Sequence, residues 1–317
     1  MIQVKNVEFD ERFDSGDAVI FPINDTLGIF YLWGMVLNGN LLPGELRFIR
    51  DEQGERRCIL PKQHISVPEK MQGKYRFPYE REEEALVRLL NGFPIPQQFI
   101  SIDNILALLR GEDTLKYHSS NNKLLERLLK TFPDSRFSEV GSTNVGLSSA
   151  TSDIDIYVFY DYERVMSGLR ENLEEFGLKI NEDVFMHEVS RHSNEYGFTN
   201  EKSKKICYRK LSGLEFQSRR VTFFDARQNP VFERLFNPNC LEQITVDGRV
   251  IDSSFSGHHT VFYDIENRDR YSLVLLRRKF QKGKRYILEE GDFVKASGRL
   301  VHRDPSLIIV DDLTLTL

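Results

Sequence analysis

The tightest constraint on this chain lies in residues 140–159, where Val-Gly-Ser-Thr-Asn-Val-Gly-Leu-Ser-Ser-Ala-Thr leads into Ser-Asp-Ile-Asp-Ile-Tyr-Val-Phe. Side chains two apart on a strand share a face. The alternation therefore sets Asp153 and Asp155 side by side and turns Ile154, Ile156 and Val158 toward a core. Two carboxylates so placed repel each other unless a cation sits between them. Magnesium suits that position, because it takes oxygen ligands and usually shares them between one or two carboxylates and a substrate phosphate. The Gly141-Ser142 turn, about ten residues upstream, supplies backbone N–H groups, a hydroxyl and no obstructing Cβ, which is how loops cradle phosphate.

A Gly-Ser turn, a short spacer and then Ser-Asp-Ile-Asp-Ile together resemble the signature of the DNA polymerase beta-like nucleotidyltransferase superfamily. The resemblance implies an α/β (α+β) nucleotidyltransferase core. It also implies a triphosphate held by Gly141 and Ser142 and two Mg²⁺ ions held by Asp153 and Asp155. Ser152 orients the aspartate loop and is read with the nucleotide-binding group. The stretch Phe30-Tyr-Leu-Trp-Gly-Met-Val-Leu-Asn-Gly-Asn-Leu-Leu-Pro-Gly and the order of segments are similar to a group of mainly archaeal predicted nucleotidyltransferases. That group places a small β module before the catalytic domain and another after it.

Nucleotidyl transfer is an in-line attack on an α-phosphorus, in which one metal serves the attacking hydroxyl and the other the leaving pyrophosphate. In this superfamily a third carboxylate completes the set. Two residues are candidates here. Glu215 stands in Leu-Glu-Phe, and Asp225 in Phe-Phe-Asp-Ala shares its strand face with Val221 and Phe223. Asp225 is favoured as the third metal-binding and catalytic acid, with Glu215 the alternative. If neither reaches the metals, the chain binds a nucleotide without turning it over.

Composition sets the outer frame. The chain has 317 residues, 40% of them hydrophobic, which is enough for two or three domains with ordinary cores. No apolar run approaches the length of a membrane span, and Met-Ile-Gln-Val-Lys-Asn lacks a signal-peptide apolar region, so a cytoplasmic location is expected. Cys58, Cys207 and Cys240 are too few and too scattered for a disulfide framework or a zinc site.

Net charge is −5, which argues against blanket nucleic-acid coating. Two basic stretches nevertheless stand out. One carries Arg277, Arg278, Lys279, Lys282, Lys284 and Arg285, and the other runs from Lys202 through Lys204, Lys205, Arg209 and Lys210 to Arg219 and Arg220. Charge runs are usually solvated faces, but two in one acidic protein point to a polyanion. In the first, Phe280 and Tyr286 interleave with the cations as on a single-strand-binding surface.

Three parts follow along the chain. Residues 1–78 alternate β-branched and aromatic runs with turn dipeptides and read as a β module. Residues 79–235 form a helical lead-in and the catalytic domain, with helices expected over 81–90, 101–110, 121–130 and 161–176 and a hairpin over 213–226. Residues 236–317 read as an OB-like β-barrel closed by Gly-Asp-Phe-Val-Lys-Ala-Ser-Gly-Arg-Leu-Val and Ser-Leu-Ile-Ile-Val. The expected function is Mg²⁺-dependent nucleotidyl transfer from a nucleoside triphosphate to an RNA end, with Arg277, Arg278, Lys282 and Lys284 tracking the RNA. Protein or small-molecule acceptors, and a non-catalytic nucleotide- or RNA-binding partner protein, are the alternatives.

Overall fold

The computed structural model describes residues 15–33, 40–57, 73–90, 93–109, 123–140, 147, 152–227, 233–256, 261–275 and 286–316. They pack as two compact units. The first runs up to Tyr157 and includes Ser218–Arg220. The second holds Val158–Gln217 and everything from Val221 onward.

In the first unit, β1 (Ser15–Ile23), β2 (Thr26–Trp33), β3 (Leu41–Arg50), β4 (Arg56–Arg57) and β5 (Lys74–Arg76) are followed by helix α1 (Glu80–Glu84). After it come β6 (Val87–Leu90), β7 (Phe93–Ser101) and β8 (Ala107–Leu109). They form one sheet in the order β4-β5-β3-β2-β1-β8, with β7 pairing β3 and β6. Both faces of this sheet are covered. Val19, Phe21, Phe30 and Leu46 belong to one apolar cluster, while Ala18, Ile20, Ile29 and Phe48 belong to another. A strand buried on both sides reads as a continuous apolar run, which accounts for Ala18-Val-Ile-Phe. Gly44 lets β2 and β3 approach, since a Cβ there would lie 2.0 Å from the carbonyl oxygen of Tyr31. Helix α2 (Lys123–Thr131) buries Leu124, Leu125 and Leu128, and β9 (Phe137–Val140) and β10 (Ile154–Val158) follow.

The second unit opens with α3 (Tyr162–Glu171), which buries Tyr162, Val165, Met166 and Leu169. Gly177, at φ 69°, turns the chain into β11 (Leu178–Ile180). Helices α4 (Glu182–Tyr196) and α5 (Asn200–Arg209) are capped by Asn181 and Thr199, whose side chains accept from the N–H groups of Val184 and Lys202. Strands β12 (Leu214–Phe216) and β13 (Arg219–Asp225) are joined by Gln217 and Ser218, both at positive φ as a two-residue hairpin turn requires. A five-stranded sheet has the order β11-β12-β13-β10-β9.

The chain closes with β14 (Glu242–Asp252), β15 (Val261–Glu266), β16 (Arg270–Leu275), β17 (Phe293–Arg303) and β18 (Ser306–Thr316). These form a closed barrel in the order β14-β15-β16-β18-β17, with β16 and β18 parallel. Val250, Ile265, Leu273, Val294, Ala296 and Ile308 fill it.

The expected α/β fold class with a polymerase beta-like core is therefore corrected. The protein is mainly β, 46% strand against 26% helix, with three sheets and five α-helices among the described residues. Part of the correction comes from two segments expected to be helical. The 81–90 stretch is helical only through Glu84 and continues as β6. The 101–110 stretch has a 3₁₀ turn capped by Ser101 and then β8, which pairs with β1. There Ile105, Ala107 and Leu109 are buried and Leu106 and Leu108 half-buried, a two-residue period hidden inside an all-apolar run. No helix among the described residues is long and apolar enough to cross a membrane.

Candidate functional site

The aspartate pair sits where the chain enters β10. Ile154, Ile156 and Val158 are buried, Asp155 and Tyr157 are half-buried, and Asp153 is exposed. The alternation thus separates a core face from a carboxylate face, as the spacing predicts. Arg219 holds this entry from β13. Its Nε donates to the carbonyl of Ser152 at 2.7 Å, and a terminal nitrogen lies 3.5 Å from the carbonyl of Asp153. Ser152 is buried, and its contribution to this arrangement is the backbone carbonyl that Arg219 grips.

Two residues outside the motif, in the same unit, feel the charge of Asp155. Arg47, half-buried on β3, donates to Glu45 Oε1 at 3.1 Å. Burial works against its charge, but Glu45, Tyr31 and Asp155 outweigh burial and hold the guanidinium pKa above its ordinary value. Burial pushes the Tyr31 hydroxyl well above the usual phenol range; Arg47 opposes that shift and Asp155 adds to it. The result is that Asp155 has a permanently charged guanidinium and a protonated phenol in electrostatic reach. Neither Arg47 nor Tyr31 carries a sequence signal, since each is one polar position in an otherwise ordinary strand.

Both candidate third acids have protein partners. Asp225 has no exposed surface. It accepts from Arg227 Nε at 2.9 and 3.2 Å, from a terminal guanidinium nitrogen at 2.7 Å and from the Arg227 backbone N–H at 3.0 Å. The same guanidinium donates to the Ser254 carbonyl at 2.6 Å and lies 4.8 Å over the Phe255 ring, so the pair fastens the 253–256 turn to the end of β13. Glu215 accepts from Asn181 at 2.8 Å and pairs with Lys179 at 3.4 Å, directly across the β11–β12 ladder. Among the described residues no group of three His, Cys, Asp or Glu side chains could hold a metal ion.

The second basic stretch is largely neutralised. Lys202 pairs with Asp292 at 2.8 Å, while Lys205 and Arg209 converge on Glu289 at 2.6 and 3.1 Å. Lys210 reaches Glu188 and His192. Lys202, Lys205 and Arg209 thus tie α5 to the turn before β17, and Lys210 ties its end to α4. Gly141 and Ser142, and Arg277, Arg278, Lys282 and Lys284 of the first basic stretch, lie outside the described residues. No known protein family model matches the chain, and no curated protein matches it.

Proposed function

We propose that the protein binds a magnesium–nucleoside triphosphate at Asp153 and Asp155 and transfers its nucleotidyl group, with an RNA end as the preferred acceptor. The observation that carries this reading is the register of β10. It turns Asp155 away from a face that is locked in a core, and Asp153 lies immediately before the strand, so the strand entry carries both carboxylates. Arg219 anchors the backbone through carbonyls, and Arg47 stands by as a fixed positive charge that tempers the repulsion between the acids and the phosphates they receive. Magnesium bound here supplies charge neutralisation for the triphosphate. The three scattered cysteines agree with a reducing, cytoplasmic setting.

A second reading, binding without turnover, is favoured by one specific observation, namely that Asp225 and Glu215 are both engaged by basic and amide partners. One experiment separates the two. Purified protein is incubated with each α-labelled triphosphate, Mg²⁺ and total RNA, and label is then followed into RNA, protein and pyrophosphate. Label on RNA supports transfer to that acceptor. Label on protein or on a small molecule reassigns the acceptor. Metal-dependent nucleotide retention with no pyrophosphate release favours the binding protein.

A further inference from the structure

Two large aromatic side chains of the first unit face solvent. Phe77 and Tyr79 follow β5 and are 56% and 55% exposed. Each is nevertheless held. Phe77 leans on the buried Phe48, with ring centres 5.4 Å apart, and the Arg56 guanidinium lies 5.0 Å over its ring. The Arg76 guanidinium lies 3.9 Å over Tyr79 and is itself pinned by Glu82 and Asp51 at 2.7 Å each. Arg56 makes no ion pair among the described residues. The rings are therefore preorganised and half open.

The cluster also continues toward the aspartates. Tyr31 packs edge-on against Phe48, centres 6.4 Å apart, and the same phenol senses both Arg56 and Asp155. A chain of rings thus runs from Tyr31 through Phe48 to Phe77, within the unit that also holds Asp153 and Asp155. Aromatic rings and guanidinium planes are the surfaces on which unstacked bases are received, because every base offers a π-face.

We propose that Phe77, Tyr79 and Arg56 form a stacking platform for the bases of a single-stranded nucleic acid, which delivers its end to the Asp153–Asp155 face. This rests on the reading that the acceptor is an RNA end, and it moves the track from the basic stretches to the N-terminal sheet. Acids flank these residues along the chain, Glu52, Glu55, Glu80, Glu83 and Glu84 among them, so binding is led by stacking and not by phosphate charge.

The test is fluorescence anisotropy of the full chain with a labelled, unstructured 12-nucleotide RNA, without Mg²⁺ or nucleotide. The wild type binds with a salt slope of about −0.7 to −1.4, as for one or two phosphates on a single strand. Phe77→Ala weakens binding roughly 5- to 100-fold, the loss expected of one stacked base, and Phe77→Trp restores it. Tyr79→Ser is the independent second variant. Phe77→Ala keeps the Mg²⁺-dependent nucleotide binding of the wild type in a separate titration, so a failure of the nucleotide site is distinguishable from a failure of the platform. The proposal is overturned if the wild type does not bind the RNA, if Phe77→Ala and Tyr79→Ser bind as the wild type does, or if a duplex of equal length competes equally. It is overturned equally if Phe77→Ala abolishes self-association in sedimentation while RNA binding persists, since the patch is then an interface between copies.

Discussion

Replacing Asp225 by Asn distinguishes a structural clamp from a catalytic acid. The carboxylate is fully buried and takes four hydrogen bonds from Arg227, whose side chain is 28% exposed. Removing one member of a buried pair costs about 3–5 kcal/mol, because the surviving charge is left without its partner. The partial exposure of Arg227 and the hydrogen bond it keeps to Ser254 reduce this to roughly 2–4 kcal/mol. In a unit of this size each kcal/mol moves Tm by about 2–4 °C, so Asp225→Asn should melt roughly 4–16 °C below the wild type. Thermal unfolding by circular dichroism at pH 7 measures it. Arg227→Gln alone should be at least as damaging, and the double variant should recover part of the loss, giving a coupling energy that the two single changes do not sum to. A wild-type Tm for Asp225→Asn, or a double variant that is simply additive, would refute the clamp and return Asp225 to the role of third acid.

Asp153→Ala and Asp155→Ala should each abolish Mg²⁺-dependent nucleotide binding or transfer while changing Tm by no more than about 2 °C, since neither carboxylate belongs to the buried core; equilibrium binding and melting on the same samples check it. Glu289 is disfavoured by burial, but Lys205 and Arg209 win and lower its pKa below the ordinary 4.5. Its contribution is therefore complete above that value and lost as pH falls through the folded one, so the Tm gap between wild type and Glu289→Gln should be full at about pH 7 and shrink only once pH falls below the ordinary 4.5. His192 is buried with its pKa lowered to about 3, chiefly by burial and then by Lys210 and Arg191. Its imidazole resonances should not titrate between about pH 8 and 5, and stability should decline by up to about 1.4 kcal/mol per pH unit below about 6.5, a slope that His192→Asn reduces.

The parts of this fold that are legible in the sequence are those in which a local pattern dictates a local outcome. The Asp-Ile-Asp-Ile-Tyr-Val alternation gives β10 its two faces. The Gly177 turn ends the helical stretch after α3, and the Gln217-Ser218 turn joins β12 to β13. What local pattern conceals is whatever depends on pairing at a distance. The run Ile105–Leu109 is apolar at every position, so only its partner β1 makes part of it a strand. The acidic run Glu80–Glu84 opens a helix as expected, but pairing with β7 turns Val87–Leu90 into a strand despite the helical spacing of its leucines. Asp225 and Glu215 have the apolar flanks of a catalytic acid, and only the neighbouring Arg227, Asn181 and Lys179 reveal that they are engaged. Arg47 and Tyr31 come from strands far upstream of the aspartates, and nothing local marks them.

Arg219 is the arginine whose placement bears most directly on the aspartate pair. Arg219 grips the Ser152 and Asp153 carbonyls, so it fixes the strand entry through the backbone and not through the carboxylates. Its two donors act from one rigid plane, which a lysine ammonium cannot reproduce. Arg219→Lys should therefore keep net charge and fold but loosen the backbone that aims Asp153 and Asp155. Mg²⁺-dependent nucleotide affinity, measured by calorimetry, should fall by roughly 10-fold, the size of losses seen when groups that orient metal ligands are changed, while Tm moves little. Unchanged affinity would mean that the carboxylates are positioned by β10 alone, and a loss of fold and affinity together would make Arg219 a structural residue.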